Sequence, residues 1–275
     1  MPRRHALTIG VQRVDPKRYY NEWEGRLLGA EADATAMAQV ARGCGFDHVE
    51  TCLTEQATRD GVLGRVAAAA RALGPGDLFF LAFSGHGRQF ADRDDGTGGD
   101  HEVDGWDETW CLHDGQLLDD EVRHALSAFA AEVRVFVVSD SCHSGTVAGR
   151  VEGPIPGRTP KGMPAGVSDL IDRASGDAVR ARRESLARIR RPVQAQVLLL
   201  GACADDQEAL DDVPNGVFTA AFLKAWREGA PAGSYVGLRA RIAELTPATQ
   251  IPQLFSLGPD LMRDAPVFGV GPARR

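Results

Sequence analysis

The stretch VRVFVVSDSCHSG, residues 133–145, decides how the rest of the chain is interpreted. An apolar run with the β-branched and aromatic residues of a strand ends abruptly in small and polar residues. Cys142 lies among these small and polar residues, whereas a cysteine packed in a core would have apolar neighbours. A cysteine at a strand end is often only a small residue that fits. With a base within reach, it becomes a candidate nucleophile.

On both sides of this strand, apolar strands alternate with helices. Further strands are predicted at 6–12, 47–52, 77–87, 193–204 and 252–258, and helices at 31–45, 58–74, 117–130, 216–229 and 235–245. Continuous apolar strands separated by amphipathic helices predict an α/β fold, with a mostly parallel six-stranded sheet covered on both faces. In such sheets the chemistry gathers at the carboxyl ends of the strands.

A base is available at the end of the strand 77–87, which closes in SGHG and so carries His86. If the two strands are neighbours and end level, His86 and Cys142 share one rim of the sheet. An imidazole can accept the thiol proton and return it to a leaving amine. The N–H groups of Gly87 and Cys142 would then face a developing oxyanion. His143 is a weaker candidate for the base than His86, because adjacent residues on an extended chain point to opposite sides and His143 directly follows Cys142.

Composition limits the other functions. The formal net charge of −7 argues against a nucleic-acid binder, and no apolar run is long enough to span a membrane. Five cysteines without a C-x-x-C motif favour reduced thiols over a disulfide framework or a zinc site. The start of the chain does not resemble a signal peptide. We therefore expect a cytoplasmic protein that touches neither membrane nor nucleic acid.

Residues 92–120 carry eleven acidic residues against one basic residue. Carboxylate oxygens at this density suit a hard cation such as Ca²⁺, although the spacing is not that of an EF-hand, since Cys111 falls where a bidentate glutamate belongs. A solvated acidic loop with helix-capping aspartates explains the same composition. The sequence leaves both interpretations open.

Residues 147–192 contrast with that segment. The segment begins rich in Pro and Gly, and nine arginines lie between Arg150 and Arg191. So long a connection inside a compact domain is typically functional or disordered, and we predict a flexible basic insert in a single domain of residues 1–275. The stretch from Asp169 to Arg191 is compatible with a basic helix. It lacks the interleaved aromatic residues of a nucleic-acid site.

The motifs FFLAFSGHG (79–87) and FVVSDSCHSG (136–145) resemble the histidine and cysteine motifs of caspase-like peptidases, metacaspases in particular. LLGAEADA (27–34), GACADDQEA (201–209) and GVFTAAFLKAW (216–226) resemble further segments of that family. The likeness runs from about residue 6 to 258. It implies the caspase-like three-layer sandwich and a hydrolase. Departures are local: Ala30 replaces an early cysteine, and Gly149 stands where some members have an additional calcium aspartate.

The resemblance also implies roles for individual residues. Cys142 becomes the nucleophile and His86 the general acid/base. Asp33 and Asp140 line the pocket for the side chain before the scissile bond, with Cys203 and Asp205 also at the substrate site. Two carboxylates there repel an acidic side chain and pair with arginine or lysine. The calcium ligands implied by the family are Asp104, Asp107, Asp119 and Asp120.

With this resemblance, the sequence predicts a monomeric cysteine endopeptidase that cuts protein substrates after Arg or Lys. Calcium assists it if the acidic segment is a calcium site and not a solvated loop. The arginine-rich insert beside an acidic pocket suggests activation by cleavage, by the enzyme itself or by an upstream protease. The expected cleavage sites are Arg173, Arg180, Arg182, Arg183, Arg188, Arg190 and Arg191. The alternative is a catalytically silent homologue that acts as a binding or scaffold module. A serine hydrolase is disfavoured because no G-x-S-x-G elbow is present.

Overall fold

The structure is a computed structural model that describes residues 2–19, 22–91, 106–142, 158–189, 191–227 and 233–269. The strands in chain order are β1 (Arg4–Gly10), β2 (His48–Leu53), β3 (Leu78–Ser84), β4 (Gly87–Ala91), β5 (Trp106–Leu112), β6 (Gly115–Leu118), β7 (Arg134–Asp140), β8 (Thr159–Pro160), β9 (Gln196–Gly201), β10 (Leu210–Asp211) and β11 (Gln253–Leu257). The helices are α1 (Pro16–Tyr19), α2 (Ala30–Gly43), α3 (Arg59–Ala72), α4 (Asp119–Leu126), α5 (Ala165–Arg188), α6 (Val217–Arg227) and α7 (Tyr235–Ala243).

Six strands form the central sheet in the order β11-β9-β7-β3-β1-β2. All neighbouring pairs are parallel except β11 with β9. The mostly parallel six-stranded sheet predicted from the apolar runs is confirmed. Every residue of β3 is buried, as expected for a central strand with both faces covered.

Helices cover both faces of this sheet, so the core has two halves. Residues of α3 and the first part of α5 belong to one apolar cluster, together with alternate residues of the strands. Residues of α2, α6 and α7 belong to the other. Among the described residues, no helix combines the length and the apolar composition that crossing a bilayer requires.

Two small sheets were not predicted. Strands β4, β5 and β6 form an antiparallel sheet, in which a two-residue turn joins Leu112 to Gly115. Strand β8 pairs antiparallel with β10. The first sheet was not predicted because its residues belong to the acidic segment, which was interpreted by its charge. The His113–Asp114–Gly115 turn is nevertheless a hairpin signal.

The predicted flexible insert is replaced in part by ordered structure. Residues 158–189 form β8 and the 24-residue helix α5, which packs on the domain through Val167 and Ile171. The basic helix expected from Asp169 begins four residues earlier, at Ala165. Residues 147–157 and Arg190 lie outside the described residues.

Candidate active site

Strands β3 and β7 end level, and this register brings the two predicted dyad residues to one rim. Ser84 is paired with Asp140, and two residues beyond this pair the chain reaches His86 on one strand and Cys142 on the other. Gly87 lies so close to Cys142 that a Cβ atom on it would be 2.1 Å from the Cys142 carbonyl oxygen. Only glycine permits this approach without movement of the backbone. Cys142 is fully buried and His86 nearly so.

A segment of the chain itself crosses this rim. The carbonyl oxygen of Lys161 accepts hydrogen bonds from the N–H groups of Gly87, at 2.9 Å, and Cys142, at 3.2 Å. These are the two N–H groups that the sequence predicted to face an oxyanion. The next carbonyl, of Gly162, accepts a hydrogen bond from His86 Nδ1 at 3.2 Å. The peptide bond between Lys161 and Gly162 therefore lies between the histidine and the cysteine.

The side chain of Lys161 is fully buried in an acidic pocket. Its Nζ lies 2.9 Å from Asp33 Oδ2, 3.0 Å from Asp140 Oδ2 and 2.9 Å from Ser84 Oγ. An ammonium has three N–H donors, and three oxygens surround it here. The pocket thus contains the two predicted carboxylates, Asp33 and Asp140, and a serine that the sequence analysis did not single out.

The two carboxylates are held by residues that precede or begin α6. Asp33 Oδ1 accepts hydrogen bonds from Asn215 Nδ2 and Gly216 N, both at 3.0 Å. Asp140 Oδ2 accepts one from Thr219 Oγ1 at 2.6 Å. These partners fix the carboxylates, so an incoming cation meets a pocket that is already arranged.

Burial and charge shift the titration of this site. The pKa of Asp140 is raised to about 6, chiefly by burial; the Lys161 ammonium acts to lower it, and the neighbouring Asp33 carboxylate acts to raise it. The pKa of Lys161 is raised despite burial, since Asp140 and Asp33 stabilise the ammonium. Lysine is therefore charged in the pocket at neutral pH.

The dyad is uncharged in this arrangement. Burial lowers the pKa of His86 to about 4, and the nearby Lys161 charge acts in the same direction. Burial raises the pKa of Cys142 well above its usual value, and Cys203 raises it further. The Cys142 sulfur donates to the Ala209 carbonyl at 3.0 Å and accepts from the Ala209 N–H at 2.7 Å. Both groups are thus engaged with the backbone.

Comparison with known proteins identifies the architecture. The model of the caspase domain family, Peptidase_C14, matches residues 3–260. The chain belongs to the caspase family. The prediction of a caspase-like cysteine peptidase, a hydrolase, is thereby confirmed at the level of the family.

Individual relatives agree with this assignment. The chain is 29% identical over 92% of its length to metacaspase-1 of Schizosaccharomyces pombe and 25% identical over 94% to metacaspase-1 of Candida albicans. It spans 67% and 65% of those two proteins, about two thirds of each. It is also 30% identical over 74% of its length, and 54% of the relative's, to a Trypanosoma brucei brucei protein named inactive metacaspase-4.

Solved structures share the fold of this chain. A Geobacter sulfurreducens protein superposes with a TM-score of 0.81 at 38% identity, over 98% of this chain and 99% of that one. Caspase-1 of Spodoptera frugiperda gives a TM-score of 0.56 at 13% identity, over 100% of this chain and 92% of the other. The second likeness shows the fold alone, and the prediction of a caspase-like α/β fold is confirmed.

Two further predicted substrate-site residues lie in different places. Cys203 is buried beside the segment that carries Cys142, with its sulfur 3.4 Å from the Gln207 carbonyl oxygen and 4.0 Å from the Ser141 carbonyl oxygen. Asp205 is exposed, and no contact among the described residues joins it to the pocket. Cys203 therefore lies near the Cys142 thiol, whose pKa it raises, and Asp205 takes no part in holding Lys161.

The predicted calcium ligands are only partly described. Asp104 lies outside the described residues, and Asp107 belongs to β5 without a described side chain. Asp119 and Asp120 begin α4, and Asp120 Oδ2 lies 3.7 Å from Arg183 Nε of α5. Within the described ranges, no three His, Cys, Asp or Glu side chains form a group that could hold a metal ion.

The predicted cleavage arginines lie mainly on α5. This helix carries Arg173, Arg180, Arg182, Arg183 and Arg188, whereas Arg191 follows it as an exposed residue and Arg190 is not described. The sequence analysis missed Lys161 instead. Its only signal was a lysine between Pro160 and Gly162, in a stretch interpreted as flexible.

Proposed function

We propose that this caspase-family chain is a cysteine endopeptidase that cleaves after lysine and arginine. The observation that carries the proposal is Lys161, whose side chain fills the acidic pocket while its carbonyl oxygen lies on the N–H groups of Gly87 and Cys142. A residue held in this way has the pose of the residue before a scissile bond. Cys142 then acts as the nucleophile and His86 as the general acid/base.

The chemistry follows from this arrangement. His86 accepts the Cys142 proton as the sulfur attacks the carbonyl carbon, and the two N–H groups stabilise the oxyanion that forms. The carbon–nitrogen bond breaks as the imidazolium protonates the leaving amine. A water molecule, deprotonated by the same imidazole, then hydrolyses the thioester and regenerates the thiol.

Arginine and lysine are both expected substrates, and aspartate is excluded by charge. A guanidinium can bind Asp33 and Asp140 through parallel hydrogen bonds, and an ammonium uses the same oxygens with Ser84. An aspartate side chain would add a third carboxylate to a buried pair.

Fluorogenic tetrapeptides that differ only in the last residue test this specificity. Lys and Arg peptides are expected to be hydrolysed, and Asp and Gln peptides are not. The Cys142→Ala and His86→Ala variants should be folded and inactive. Equal turnover of Asp and Arg peptides would contradict the pocket assignment, and turnover by Cys142→Ala would remove the nucleophile from the mechanism.

Gly216→Ala provides a sharper test of the pocket. A Cβ atom on Gly216 would be 2.4 Å from Lys161 Nζ and 3.0 Å from Asp140 Oδ2, so the methyl group occupies the place of the bound cation. Turnover of Lys and Arg peptides should be lost. Gly64→Ala is the matched control, because a Cβ atom there meets nothing within 4 Å. Full activity of Gly216→Ala would show that the cation binds elsewhere.

A second candidate function is a silent homologue that works by binding a partner. It is favoured by the relative named inactive metacaspase-4, and by the Cys142 thiol, which is held by Ala209 and has a raised pKa. The retained His86 and Cys142 favour the enzyme. The peptide assay separates the two functions, since a silent homologue hydrolyses no peptide under any activating condition.

Regulation by calcium is a further part of the proposal. It rests on Asp119 and Asp120 at the start of α4 and on the density of carboxylates in residues 92–120. The side chains within the described residues do not by themselves fit a calcium ion, since Asp120 already faces an arginine. Activation by an upstream protease and a cytoplasmic, monomeric state remain predictions.

A further inference from the structure

We propose that the peptide bond between Lys161 and Gly162 is the chain's own first cleavage site, and that residues 158–163, the internal substrate, keep the uncut chain latent. The inference rests on the proposed function, because it requires a working dyad and a pocket for lysine. It goes beyond that function because it identifies the bond that is cut and the segment that blocks the active site. The arginines of α5, which the sequence favoured, are not needed.

The internal substrate is bound by its backbone on both sides of the bond. On the N-terminal side, Lys161 N donates to the Ala209 carbonyl at 2.8 Å, and Thr159 pairs with Asp211 of β10. On the C-terminal side, Met163 N donates to the Gly87 carbonyl at 2.9 Å. Extended peptides bind in this way when they add a strand to a sheet edge.

The register explains why a proline is accepted before the lysine. In an antiparallel pair, hydrogen-bonded positions alternate with positions that make no bond across the ladder. Lys161 is bonded to Ala209, so Pro160 falls on a non-bonded position opposite Leu210. The Leu210 N–H donates to Gln250 Oε1 instead, at 3.3 Å. Pro160 therefore gives up no hydrogen bond by lacking an N–H group.

The burial of Lys161 distinguishes this segment from a loop resting on a surface. A lysine with no exposed side-chain area is costly unless its charge is compensated. The compensation comes from Asp33 and Asp140, the predicted specificity residues, and Asp211 adds to the favourable potential. The site thus receives the lysine as it would receive a substrate side chain.

Latency follows from the same contacts. With Lys161 in the pocket, no external side chain can enter it. His86 Nδ1 is bonded to the Gly162 carbonyl, and the Cys142 sulfur is bonded to Ala209. For cleavage, the sulfur must leave Ala209 and turn toward the carbonyl carbon of Lys161. The uncut chain is therefore inactive toward other proteins until the bond is cut and Lys161 leaves the pocket.

The cleavage step balances without any co-reactant except water. The Cys142 sulfur forms a bond to the Lys161 carbonyl carbon, and the thiol proton passes through His86 to the Gly162 nitrogen as the carbon–nitrogen bond between Lys161 and Gly162 breaks. Water then hydrolyses the thioester, which leaves a Lys161 carboxylate and a free Gly162 amine. Residues 158–161 are afterwards tethered from one side only, so they can leave the pocket.

The arginines of α5 are poorly placed to compete. Proteases bind substrates in the extended form, as the Lys161 segment is bound, and Arg173 to Arg188 are helical. Arg182 and Arg183 also face Glu121 and Asp120 of α4, at 3.6 and 3.7 Å. Cleavage at these positions would first require the helix to unfold.

The test follows the intact mass and the new N-terminus of the purified full chain over time. Wild type should yield residues 1–161 and 162–275, with a rate independent of protein concentration because the bond is cut within one molecule. Cys142→Ala should remain intact. Lys161→Gln should lose this cut, Lys161→Arg should retain it, and Lys224→Gln is the control at an exposed lysine. A wild-type chain that remains uncut, or a rate proportional to concentration, would overturn the proposal.

Turnover of a Lys-ended peptide, measured in the same samples, tests latency. The rate should rise in proportion to the fraction cut at Lys161, and uncut Lys161→Gln should be active from the start because glutamine binds the acidic pocket weakly. Full turnover by wild-type chains that are still uncut would refute the block. If the wild-type chain hydrolyses the peptide while its 161–162 bond survives, this inference alone fails. If no variant hydrolyses any Lys or Arg peptide, the proposed function fails with it.

Discussion

At the scale of single residues, the pocket is defined by a surplus of negative charge. Asp33 and Asp140 share one ammonium, and both are buried. Two like charges in such a place are tolerated only while a cation or a proton compensates one of them. The raised pKa of Asp140 agrees with this: burial favours the neutral carboxyl group, and the Lys161 ammonium favours the carboxylate. The proposed specificity for a basic side chain is therefore a consequence of desolvation as much as of direct contact.

Asp140→Asn should reduce kcat/KM for Lys and Arg peptides by the equivalent of about 2–5 kcal/mol, the range for truncating one partner of a buried charge pair. The amide keeps the shape of the carboxylate, so the change isolates its charge. Steady-state kinetics of the cleaved enzyme measure the loss. Asp60→Asn, at an exposed position of α3, is the control and should leave kcat/KM unchanged. An unaltered Asp140→Asn enzyme would mean that Asp33 alone selects the substrate.

The same carboxylate predicts a pH dependence. The pKa of Asp140 in the occupied pocket is about 6, so below this pH the ammonium faces Asp33 and a protonated, neutral Asp140. The advantage of wild type over Asp140→Asn with Lys peptides should accordingly decline as the pH falls through about 6. Taking the ratio of the two kcat/KM values cancels the titration of Cys142 and His86. A ratio that is constant across this range would contradict the assignment.

At the scale of elements, helix α5 is held by an arginine of β4. Arg88 is buried, and its Nε donates to Ser168 Oγ at 2.6 Å, while its guanidinium also contacts Asp172. Another bond, to Gln116 Oε1 at 3.2 Å, ties it to β6. The helix begins three residues after Gly162, so this clamp also anchors the C-terminal side of the internal substrate.

Arg88→Met should loosen α5, because it removes these hydrogen bonds while retaining much of the side-chain volume. The expected loss in the free energy of unfolding is about 1–3 kcal/mol, since Asp172 is half exposed and can be rehydrated. Urea unfolding and hydrogen exchange of α5, both on the uncut Cys142→Ala background, measure it. Arg180→Met, which alters an exposed pair on the same helix, should change little. Equal protection of α5 in the two variants would show that Val167 and Ile171 suffice to hold it.

At the scale of the whole molecule, the proposed cut divides the sheet between two pieces without separating them. Strands β1, β2, β3 and β7 precede Lys161, and β9 and β11 follow it. Strand β9 pairs with β7 from Arg134 to Ser139, and residues from both pieces form each half of the core. Cleavage therefore releases the internal substrate from one of its two tethers and leaves the fold in place.

Calcium is predicted to act at this scale by stabilising the folded chain. If Asp104, Asp107, Asp119 and Asp120 form a site, millimolar CaCl₂ should raise the melting temperature of Cys142→Ala, because an ion that binds only the native state stabilises it. The Asp119→Ala, Asp120→Ala double variant should not respond. MgCl₂ at the same concentration is the control for ionic strength. Identical melting curves with calcium and with chelator would favour the solvated acidic loop.

The sequence by itself determined the central sheet and the residues on its rim. Fully apolar strands such as 78–83 leave few alternatives to a sheet covered on both faces. Small polar residues after two of them placed His86 and Cys142, because the carboxyl ends of neighbouring parallel strands meet at one edge. Both of these signals are local in the chain, so they can be recognised without knowing how distant segments pack.

Only the tertiary structure decided what occupies the site. Lys161 lies 128 positions from Asp33 along the chain, and its burial depends on a two-residue strand, β8, too short to have a pattern. The Pro- and Gly-rich composition around it is equally typical of a flexible loop. Contacts with β10, Gly87 and two buried carboxylates order the segment, and none of these is encoded near residue 161. The physical reason is that a buried lysine is stable only where oppositely charged groups surround it, and only the folded chain brings these groups together.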